Sequence, residues 1–206
     1  MEQEQMKALP GLLLPWFREN ARALPWRQDR EPYRVWLSEI MLQQTRVEAV
    51  KNYYARFLET FPDIAALAAA EQDQVNKCWE GLGYYSRAAN LRKAAQMIQE
   101  QYGGVFPRTW EEVRGLAGVG DYTAGAVCSI CYGLPTPAVD GNVLRVAARV
   151  MNHFCEIDRP EQKAAVTALL RQVYLDNPEH CGTLTQAFME IGATVCVPNG
   201  QPHCEA

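Results

Sequence analysis

The spacing of apolar residues along the chain predicts an all-helical protein. Segments 47–61, 79–101 and 164–174 place apolar side chains three and four positions apart, which is the spacing of an amphipathic helix. No segment alternates apolar and polar residues over the length of a strand. Proline and glycine separate the segments, so the pattern predicts about ten α-helices and an all-α fold.

A glycine- and proline-rich segment at 133–137 is the best candidate boundary between two helical subdomains. The helix predicted near 12–22 has no apolar partner close to it in the sequence, and we expect it to pack on the C-terminal helices. These features predict one domain over 26–135 and a discontinuous domain formed by 1–25 and 136–206.

Composition and charge limit the classes of function. The 206 residues are 48% hydrophobic, which indicates a folded globular chain, and the net charge is −4. A uniformly basic nucleic-acid binder is therefore excluded, and any DNA contact must be local. No secretory signal and no membrane-length apolar run is visible, and seven cysteines without such a signal indicate a reducing compartment. We expect a cytoplasmic protein with no membrane partner.

Two glycines, Gly118 and Gly120, stand just before a helix rich in small residues. Glycine can adopt a positive φ and leaves N–H groups uncovered, and a helix N-terminus attracts anions. A capping box, Thr109-x-x-Glu112, predicts a short helix ahead of the loop. A helix-hairpin-helix over 109–127 could therefore hold a nucleic-acid phosphate. The alternative is that the glycines only end a helix.

Glu39 is a single acid in the otherwise apolar segment 35–42. Burial there would raise the pKa of its carboxyl, as a general acid or base near neutrality requires. The uncharged polar residues Gln43, Gln44 and Thr45 follow, and Gln43 is expected one turn later on the same helix face. A glutamate that faces solvent or pairs with an arginine is the alternative.

Asp140 precedes a predicted helix in the segment Val-Asp-Gly-Asn-Val. N-capping alone would explain an aspartate at this position. The alternative is an anion that faces a sugar cation, because cleavage of a glycosidic bond commonly uses two carboxylates. The spacing of Glu39 and Asp140 along the chain cannot show whether the fold brings them together.

Two further segments carry candidate chemistry. The loop 79–87 combines glycines and tyrosines with Arg87, and an exposed tyrosine there could wedge between bases; tyrosines that fill a core are the alternative. Cys196 and Cys204 flank a proline- and glycine-rich loop near the end of the chain. Two thiolates cannot complete a four-cysteine iron–sulfur or zinc site, so further ligands are expected to be missing.

Taken together, these motifs closely resemble the adenine DNA glycosylases, the MutY family of the helix-hairpin-helix DNA glycosylase superfamily. The resemblance runs from about Leu24 to Cys204 and is most specific at four segments, which are 38–45, 81–88, 116–127 and 139–143. It implies two helical subdomains with the active site in the cleft between them. The domain 26–135 would be a six-helix barrel that contains the hairpin, and 1–25 plus 136–206 would be an iron–sulfur domain.

The family resemblance also implies a reaction. Members hydrolyse the N-glycosidic bond of adenine mispaired with 8-oxoguanine or guanine in double-stranded DNA, after flipping the base out of the helix. By resemblance the chain is a monofunctional glycosylase and a monomer, with a [4Fe-4S] cluster in the intact protein and a monovalent cation at the hairpin. A bacterial member would be associated with the nucleoid in the cytoplasm.

Residue roles follow by matching positions to the family motifs. Glu39 would protonate adenine and help activate water, Asp140 would stabilise the sugar cation, Tyr122 would assist at the sugar, and Asn142 would orient the catalytic groups. The positions that match the adenine pocket are Trp26, Arg27, Leu42 and Gln186. The positions that match DNA contacts are Gln43, Gln44, Thr45, Tyr84, Arg87, Gly118, Val119 and Gly120. Cys196 and Cys204 would be cluster ligands.

Three departures from the family pattern change these expectations. Ala117 stands where proline is frequent, which should loosen the turn, and Leu144 stands where some members carry lysine, which disfavours strand cleavage. The chain also ends inside the cluster loop and without the C-terminal domain that recognises 8-oxoguanine. We therefore expect an incomplete or absent cluster and weak lesion discrimination.

Two rival functions stay open. A bifunctional glycosylase and lyase of the endonuclease III type would need a lysine beside the hairpin to form a Schiff base. Tyr122 stands at that position, and no lysine lies between Lys93 and Lys163. The other rival is an inactive helix-hairpin-helix fragment that only binds DNA.

Overall fold

A computed structural model describes residues 2–152, 156 and 159–205, with side chains from residue 4 onward. These residues form helices and no strand, and none of the helices is both long and apolar enough to cross a membrane. The α-helices are α1 (Glu2–Asn20), α2 (Pro32–Leu42), α3 (Val47–Thr60), α4 (Ile64–Ala69), α5 (Gln72–Trp79), α6 (Ser86–Tyr102), α7 (Trp110–Arg114), α8 (Asp121–Tyr132), α9 (Gly141–Val150), α10 (Pro160–Leu175) and α11 (Cys181–Thr194). The predicted all-α fold is confirmed.

The chain divides into two compact units. We name Leu24–Val127 the central unit, and Met1–Ala23 together with Cys128–Ala206 the terminal unit, after their places in the chain. The division falls within α8. The segment 133–137 instead ends that helix, since Gly133 has a φ of 68° and the Leu134 N–H donates to the carbonyl of Cys128 at 3.1 Å. The domain bounds derived from the sequence remain a prediction.

The central unit is built around aromatic side chains. Its helix α6 packs against α2, α4 and α5, and α3 packs against α2 and α5. The apolar stripe predicted for α3 is buried, as Val50, Tyr54 and Phe57 show. The ring of Phe57 meets the ring of Trp79 edge-on, with 6.1 Å between centroids. The predicted amphipathic helix over this segment is therefore confirmed.

The terminal unit joins the two ends of the chain. Helix α1 packs against α9, α10 and α11, and the shared core includes Leu13, Leu170 and Phe188. Arg22 follows α1 and pairs with Glu190 of α11. Its Nε and Nη2 atoms donate to the two carboxylate oxygens at 2.7 and 2.9 Å, and its backbone N–H donates at 3.0 Å. This ion pair connects residues that lie far apart in the sequence.

Removing the Arg22 side chain is expected to destabilise the protein. The Glu190 side chain is fully buried, so Arg22→Ala takes a strong partner from a carboxylate that water cannot reach. We expect the free energy of unfolding to fall by about 3 kcal/mol, as when a buried carboxylate loses a charged partner. Urea denaturation followed by circular dichroism measures this loss. Arg18→Ala, at an exposed position on α1, is the control; an equal effect of both variants would contradict the prediction.

Candidate active site and nucleic-acid interface

Glu39 lies on the buried side of α2. The helix begins where the Glu31 side chain accepts hydrogen bonds from the backbone N–H groups of Tyr33 and Arg34, at 3.2 and 2.9 Å. Glu39 is only 6% exposed, and its helical neighbours Ile40 and Met41 are buried as well. The alternative of a glutamate that faces solvent is therefore excluded. A charged carboxylate in these surroundings is costly to bury unless it is paired or hydrogen-bonded.

Helix α2 ends just ahead of the polar residues 43–45. Leu42 is its last residue, and Gln43 leaves the helical conformation with φ −59° and ψ 110°. Gln44 then adopts a left-handed conformation with φ 59°, and the Thr45 N–H donates to the carbonyl of Leu42 at 3.3 Å. Gln43 is the C-cap of α2 and keeps a helical φ, so it still follows Glu39 by one turn, and the chain turns away from the helix only after it.

Arg87 is buried, although the sequence predicts that it contacts DNA at the surface. The residue is 8% exposed, and its guanidinium donates to the carbonyls of Ile40 and Met41 at 3.0 and 3.1 Å. These carbonyls belong to the last turn of α2, where no further helical N–H is available to them. Because the guanidinium is buried against backbone oxygens, a direct contact with DNA, as predicted for Arg87, requires it to leave these partners. Burial also lowers its pKa.

The glycine-rich loop after α5 presents an exposed tyrosine. Gly81 has a φ of 99°, and a Cβ atom there would lie 2.1 Å from the Tyr53 hydroxyl, so only glycine fits without a shift. Tyr84 is 64% exposed and adopts a left-handed conformation with φ 47°. Tyr85 is also exposed, which excludes the alternative that these two tyrosines fill the core. A strained, exposed aromatic residue is a candidate for contact with a ligand.

The predicted helix-hairpin-helix is present. Thr109 and Glu112 form the capping box of α7, each side chain accepting a hydrogen bond from the other's backbone N–H. Gly118 has a φ of 72°, and a Cβ atom there would lie 2.6 Å from the Cβ of Asn90. Gly120 has open space around it and no positive φ, so glycine is required at Gly118 alone. Val119 is buried between these two exposed glycines.

An ion pair crosses the hairpin. The Arg114 Nε donates to the carboxylate of Asp121 at 2.5 Å, and its Nη1 donates to the carbonyl of Val119 at 3.0 Å. Asp121 is the first residue of α8, so it places a negative charge at the end of the helix where an anion would otherwise be favoured. Arg114 offsets that charge. Neither Arg114 nor Asp121 is among the residues predicted from the sequence.

Asp140 is the N-cap of α9. One carboxylate oxygen accepts a hydrogen bond from the Val143 N–H at 2.9 Å, and the other accepts one from the Asn142 side-chain amide at 2.9 Å. The capping interpretation is therefore confirmed. The same two donors also hold the carboxylate in one orientation, which a preorganised anion requires.

A polar chain continues from Asp140 toward the cysteine loop. Arg145 donates to the Asn142 side-chain oxygen at 2.7 Å, to the carbonyl of Gly192 at 2.8 Å and to the carbonyl of Cys196 at 2.8 Å. A Cβ atom on Gly192 would lie 2.8 Å from the Cβ of Asn142, so glycine permits this close approach. Sequence reasoning missed Arg145, although its spacing of three from Asn142 on a helix is a usable signal.

Cys196 and Cys204 differ in their surroundings. Cys196 is half-buried, and the Arg149 Nη1 donates to its sulfur at 3.1 Å. Cys204 is exposed. Within the part of the chain that the structure describes, no group of three or more histidine, cysteine or acidic side chains could hold a metal ion. The described residues therefore do not make a complete cluster site.

The remaining predicted residues are distributed over both units. Trp26 is buried and meets the ring of Tyr54 edge-on, with 5.5 Å between centroids. Leu42 and Arg27 are half-buried, and Tyr122 is half-buried in the first turn of α8. The predicted residues of the central unit are Trp26, Arg27, Glu39, Leu42, Gln43, Gln44, Thr45, Tyr84, Arg87, Gly118, Val119, Gly120 and Tyr122. Those of the terminal unit are Asp140, Asn142, Gln186, Cys196 and Cys204.

Comparison with known families agrees with the presence of the hairpin. Residues 37–172 match the HhH-GPD superfamily of base excision DNA repair proteins. The chain belongs to this superfamily.

Individual proteins similar to this chain over most of its length include adenine DNA glycosylases. The adenine DNA glycosylase of Homo sapiens is 43% identical over 209 residues, which cover 97% of this chain and 38% of that protein. The adenine DNA glycosylase of Schizosaccharomyces pombe is 38% identical over 212 residues, covering 93% of this chain and 45% of that protein. The chain therefore spans less than half the length of these two relatives.

Solved structures share the fold. A thermostable thymine-DNA glycosylase is 25% identical, with a TM-score of 0.84 over 98% of this chain and 92% of its own. Endonuclease III in a non-covalent complex with DNA has a TM-score of 0.81 at 23% identity, over 99% of this chain and 91% of its own. The helix-hairpin-helix glycosylase fold expected from the sequence is confirmed.

Proposed function

We propose that this protein hydrolyses the N-glycosidic bond of adenine mispaired with 8-oxoguanine or guanine in duplex DNA. The observation that carries the proposal is the burial of Glu39 in an apolar helix of a base excision repair fold. A buried carboxyl group can keep its proton near neutral pH, and adenine needs a proton before it can leave. Similarity to adenine DNA glycosylases supports the choice of base.

The reaction begins with extrusion of the adenine nucleotide, since a base inside the duplex cannot be reached. Glu39 then donates its proton to the adenine ring, and the bond between the sugar and the base breaks as adenine departs. The resulting Glu39 carboxylate accepts a proton from the water that attacks the sugar. Trp26, Arg27, Leu42 and Gln186 would surround the base, and Tyr122 would assist at the sugar.

Asp140 stabilises the positive charge that develops on the sugar. Its carboxylate is already oriented by the Val143 N–H and the Asn142 amide, so little reorganisation is needed during the reaction. Asn142 acts as a positioning residue through this hydrogen bond. The remaining lone pairs of the carboxylate can face the sugar.

The DNA backbone binds at the hairpin. The backbone N–H groups of Gly118 and Gly120, which are exposed residues, would contact a phosphate, with a monovalent cation as an expected additional ligand. Tyr84 would wedge between bases, while Gln43, Gln44 and Thr45 would contact the duplex beside the extruded base. Such local contacts suit a chain whose net charge is −4.

We also propose that Cys196 and Cys204 are two of the four thiolates of a [4Fe-4S] cluster. Two cysteines alone do not fit a whole cluster, so no step of the reaction is assigned to it. The proposed setting is the cytoplasm, with a monomer acting on nucleoid DNA.

A single-turnover assay tests the function. The 206-residue chain in excess is incubated with duplexes that carry adenine opposite 8-oxoguanine, guanine or thymine, and base release is measured after alkaline cleavage of the abasic product. We expect release from the first two duplexes and none from the third. Borohydride should trap no covalent complex with DNA, because a lyase intermediate requires an amine nucleophile. Equal release from all three duplexes, release from none, or efficient trapping would contradict the proposal.

Asp121→Asn is expected to strengthen duplex binding. The change removes a negative charge from the predicted phosphate site and releases Arg114 for the backbone. We expect the dissociation constant to fall about two- to five-fold, the size of a charge effect at a helix terminus. Fluorescence anisotropy at constant salt measures it, with Asp176→Asn at the exposed end of α10 as the control. Unchanged or weaker binding would argue against a phosphate at this hairpin.

A further inference from the structure

One guanidinium contacts two separate segments of the central unit. The Arg87 Nη1 donates to the carbonyls of Ile40 and Met41 at 3.0 and 3.1 Å and also to the carbonyl of Gln43. These acceptors lie at the end of α2 and in the turn after it. Arg87 thus caps the C-terminus of α2, where a positive charge is also favoured by the helix dipole.

The second terminal nitrogen of Arg87 reaches the glycine-rich loop. Its Nη2 donates to the carbonyls of Leu82 and Gly83 at 3.0 and 3.3 Å, and to the Thr45 hydroxyl oxygen at 3.3 Å. The carbonyl of Gly83 also accepts a hydrogen bond from the Trp79 indole at 3.0 Å. A single planar group therefore joins the segment 43–45 to the segment 82–84.

Aromatic rings enclose the same guanidinium. Its central carbon lies 5.3 Å from the centroid of the Trp79 ring and 5.6 Å from that of Tyr84. Contacts of this kind stabilise a cation and hold it over the ring face. Tyr84, the exposed residue proposed to wedge between bases, is therefore in direct contact with Arg87.

The two joined segments share an unusual backbone feature. Only three non-glycine residues in the described part of the chain have a positive φ, and they are Gln44, Tyr84 and Asn152. Two of the three stand beside acceptors of Arg87. Left-handed backbone at such residues costs free energy and persists only where surrounding contacts enforce it. The Arg87 side chain contacts residues on both sides of Gln44, and at the other turn it contacts the two residues before Tyr84 and the Tyr84 ring.

We infer that Arg87 is a positioning residue that holds the turn at Gln44 and the loop at Tyr84 in one fixed arrangement. Its role is to present both segments to the duplex together, without touching the DNA. Arginine suits this task because its planar fork donates in several directions at once, which the point charge of lysine does not reproduce. The statement about DNA rests on the proposed function, whereas the coupling of the two segments does not.

Hydrogen exchange of the free protein tests the coupling without DNA. Arg87→Lys should speed amide exchange by about ten-fold or more in both peptides, 43–46 and 82–85, because each loses fixed hydrogen bonds. Arg92→Ala is the matched control, since Arg92 is on the same helix and donates to the carbonyl of Ala70 at 2.5 Å. It should leave both peptides at the wild-type rate.

A milder variant keeps the coupling testable if the Arg87→Lys protein does not fold. Thr45→Ala removes one acceptor of Arg87 and should speed exchange in 82–85, a segment that Thr45 reaches through Arg87. Faster exchange in only one segment of Arg87→Lys, or unchanged exchange in both, would overturn the inference. So would exchange at 82–85 that does not respond to Thr45→Ala.

A double-mutant cycle tests the consequence for DNA. The probe is a duplex with a tetrahydrofuran abasic analogue opposite 8-oxoguanine, and the readout is its dissociation constant. Tyr84→Ala should weaken binding at least about five-fold, as loss of a stacking aromatic does, in the wild-type background. In the Arg87→Lys background it should weaken binding less than about two-fold, because coupled residues are non-additive.

The possible results separate the two proposals. Additive effects of Tyr84→Ala and Arg87→Lys would overturn the positioning role of Arg87. Failure of the wild-type chain to bind the probe would count against the proposed function, while the exchange result on the free protein would still decide the coupling.

Discussion

Glu39→Gln is expected to reduce the rate of adenine release by about 10²–10⁴-fold, the usual contribution of a positioned general acid or base. Glutamine has nearly the same shape as glutamic acid, but it cannot give a proton to the leaving base or accept one from water. The rate constant is measured under single-turnover conditions with enzyme in excess, so that product release does not mask the chemical step.

Binding and stability should separate this variant from a misfolded one. Glu39 lies inside α2, and an amide of the same size occupies the same space. We therefore expect the dissociation constant for the uncleaved duplex and the melting temperature to stay near their wild-type values. Glu48→Gln, an exposed change on α3, is the control and should keep the full rate. A Glu39→Gln protein that keeps its rate would remove Glu39 from the mechanism.

Features set by neighbouring residues could be predicted from the sequence. The stripe of α3, the capping box at Thr109 and Glu112, and the N-cap at Asp140 each depend on residues within one or two helical turns. Local hydrogen bonds between side chains and backbone determine where these elements begin, and residue types at fixed spacing predict them. The burial of Glu39 was predictable for the same reason, because its neighbours along α2 are apolar.

Features set by distant residues could not be predicted. Helix α2 ends at Leu42, and Arg87 caps the carbonyls of its last turn. Arg87 comes after the next three helices in the chain. Nothing near Gln43 in the sequence indicates that cap, so the apolar pattern alone does not give the residue at which α2 ends. The burial of Arg87 was missed for the same reason, because its acceptors are distant in the sequence and an arginine beside a glycine loop suggests a surface contact.

The pairing of the two proposed catalytic carboxylates could not be predicted from their positions along the chain. Glu39 lies in the central unit and Asp140 in the terminal unit, and the local environment of each suits its role. Resemblance to the family links the two residues, whereas their spacing along the chain does not. Their joint action on one nucleotide therefore remains a prediction, and a variant of the second carboxylate is needed beside the first.

Asp140→Asn is expected to lower the rate of base release by about 10²–10³-fold, the loss found when one preorganised electrostatic contact to a transition state is removed. Asparagine is as good an N-cap as aspartate, and its side-chain oxygen can still accept from the Val143 N–H. The substitution therefore keeps the start of α9 while it removes the charge that would face the sugar cation.

A second N-cap provides the matched control. Asp63 caps α4 by accepting from the Ala66 N–H at 2.8 Å, and no role in the reaction is assigned to it. Asp63→Asn should keep the wild-type rate and, like Asp140→Asn, change the melting temperature little. If Asp140→Asn also keeps the rate, capping is the whole function of this aspartate. A rate loss confined to Asp140→Asn, with the melting temperature unchanged, is then assigned to the lost carboxylate, meaning its charge and its second acceptor oxygen for the Asn142 amide, because both variants preserve the cap.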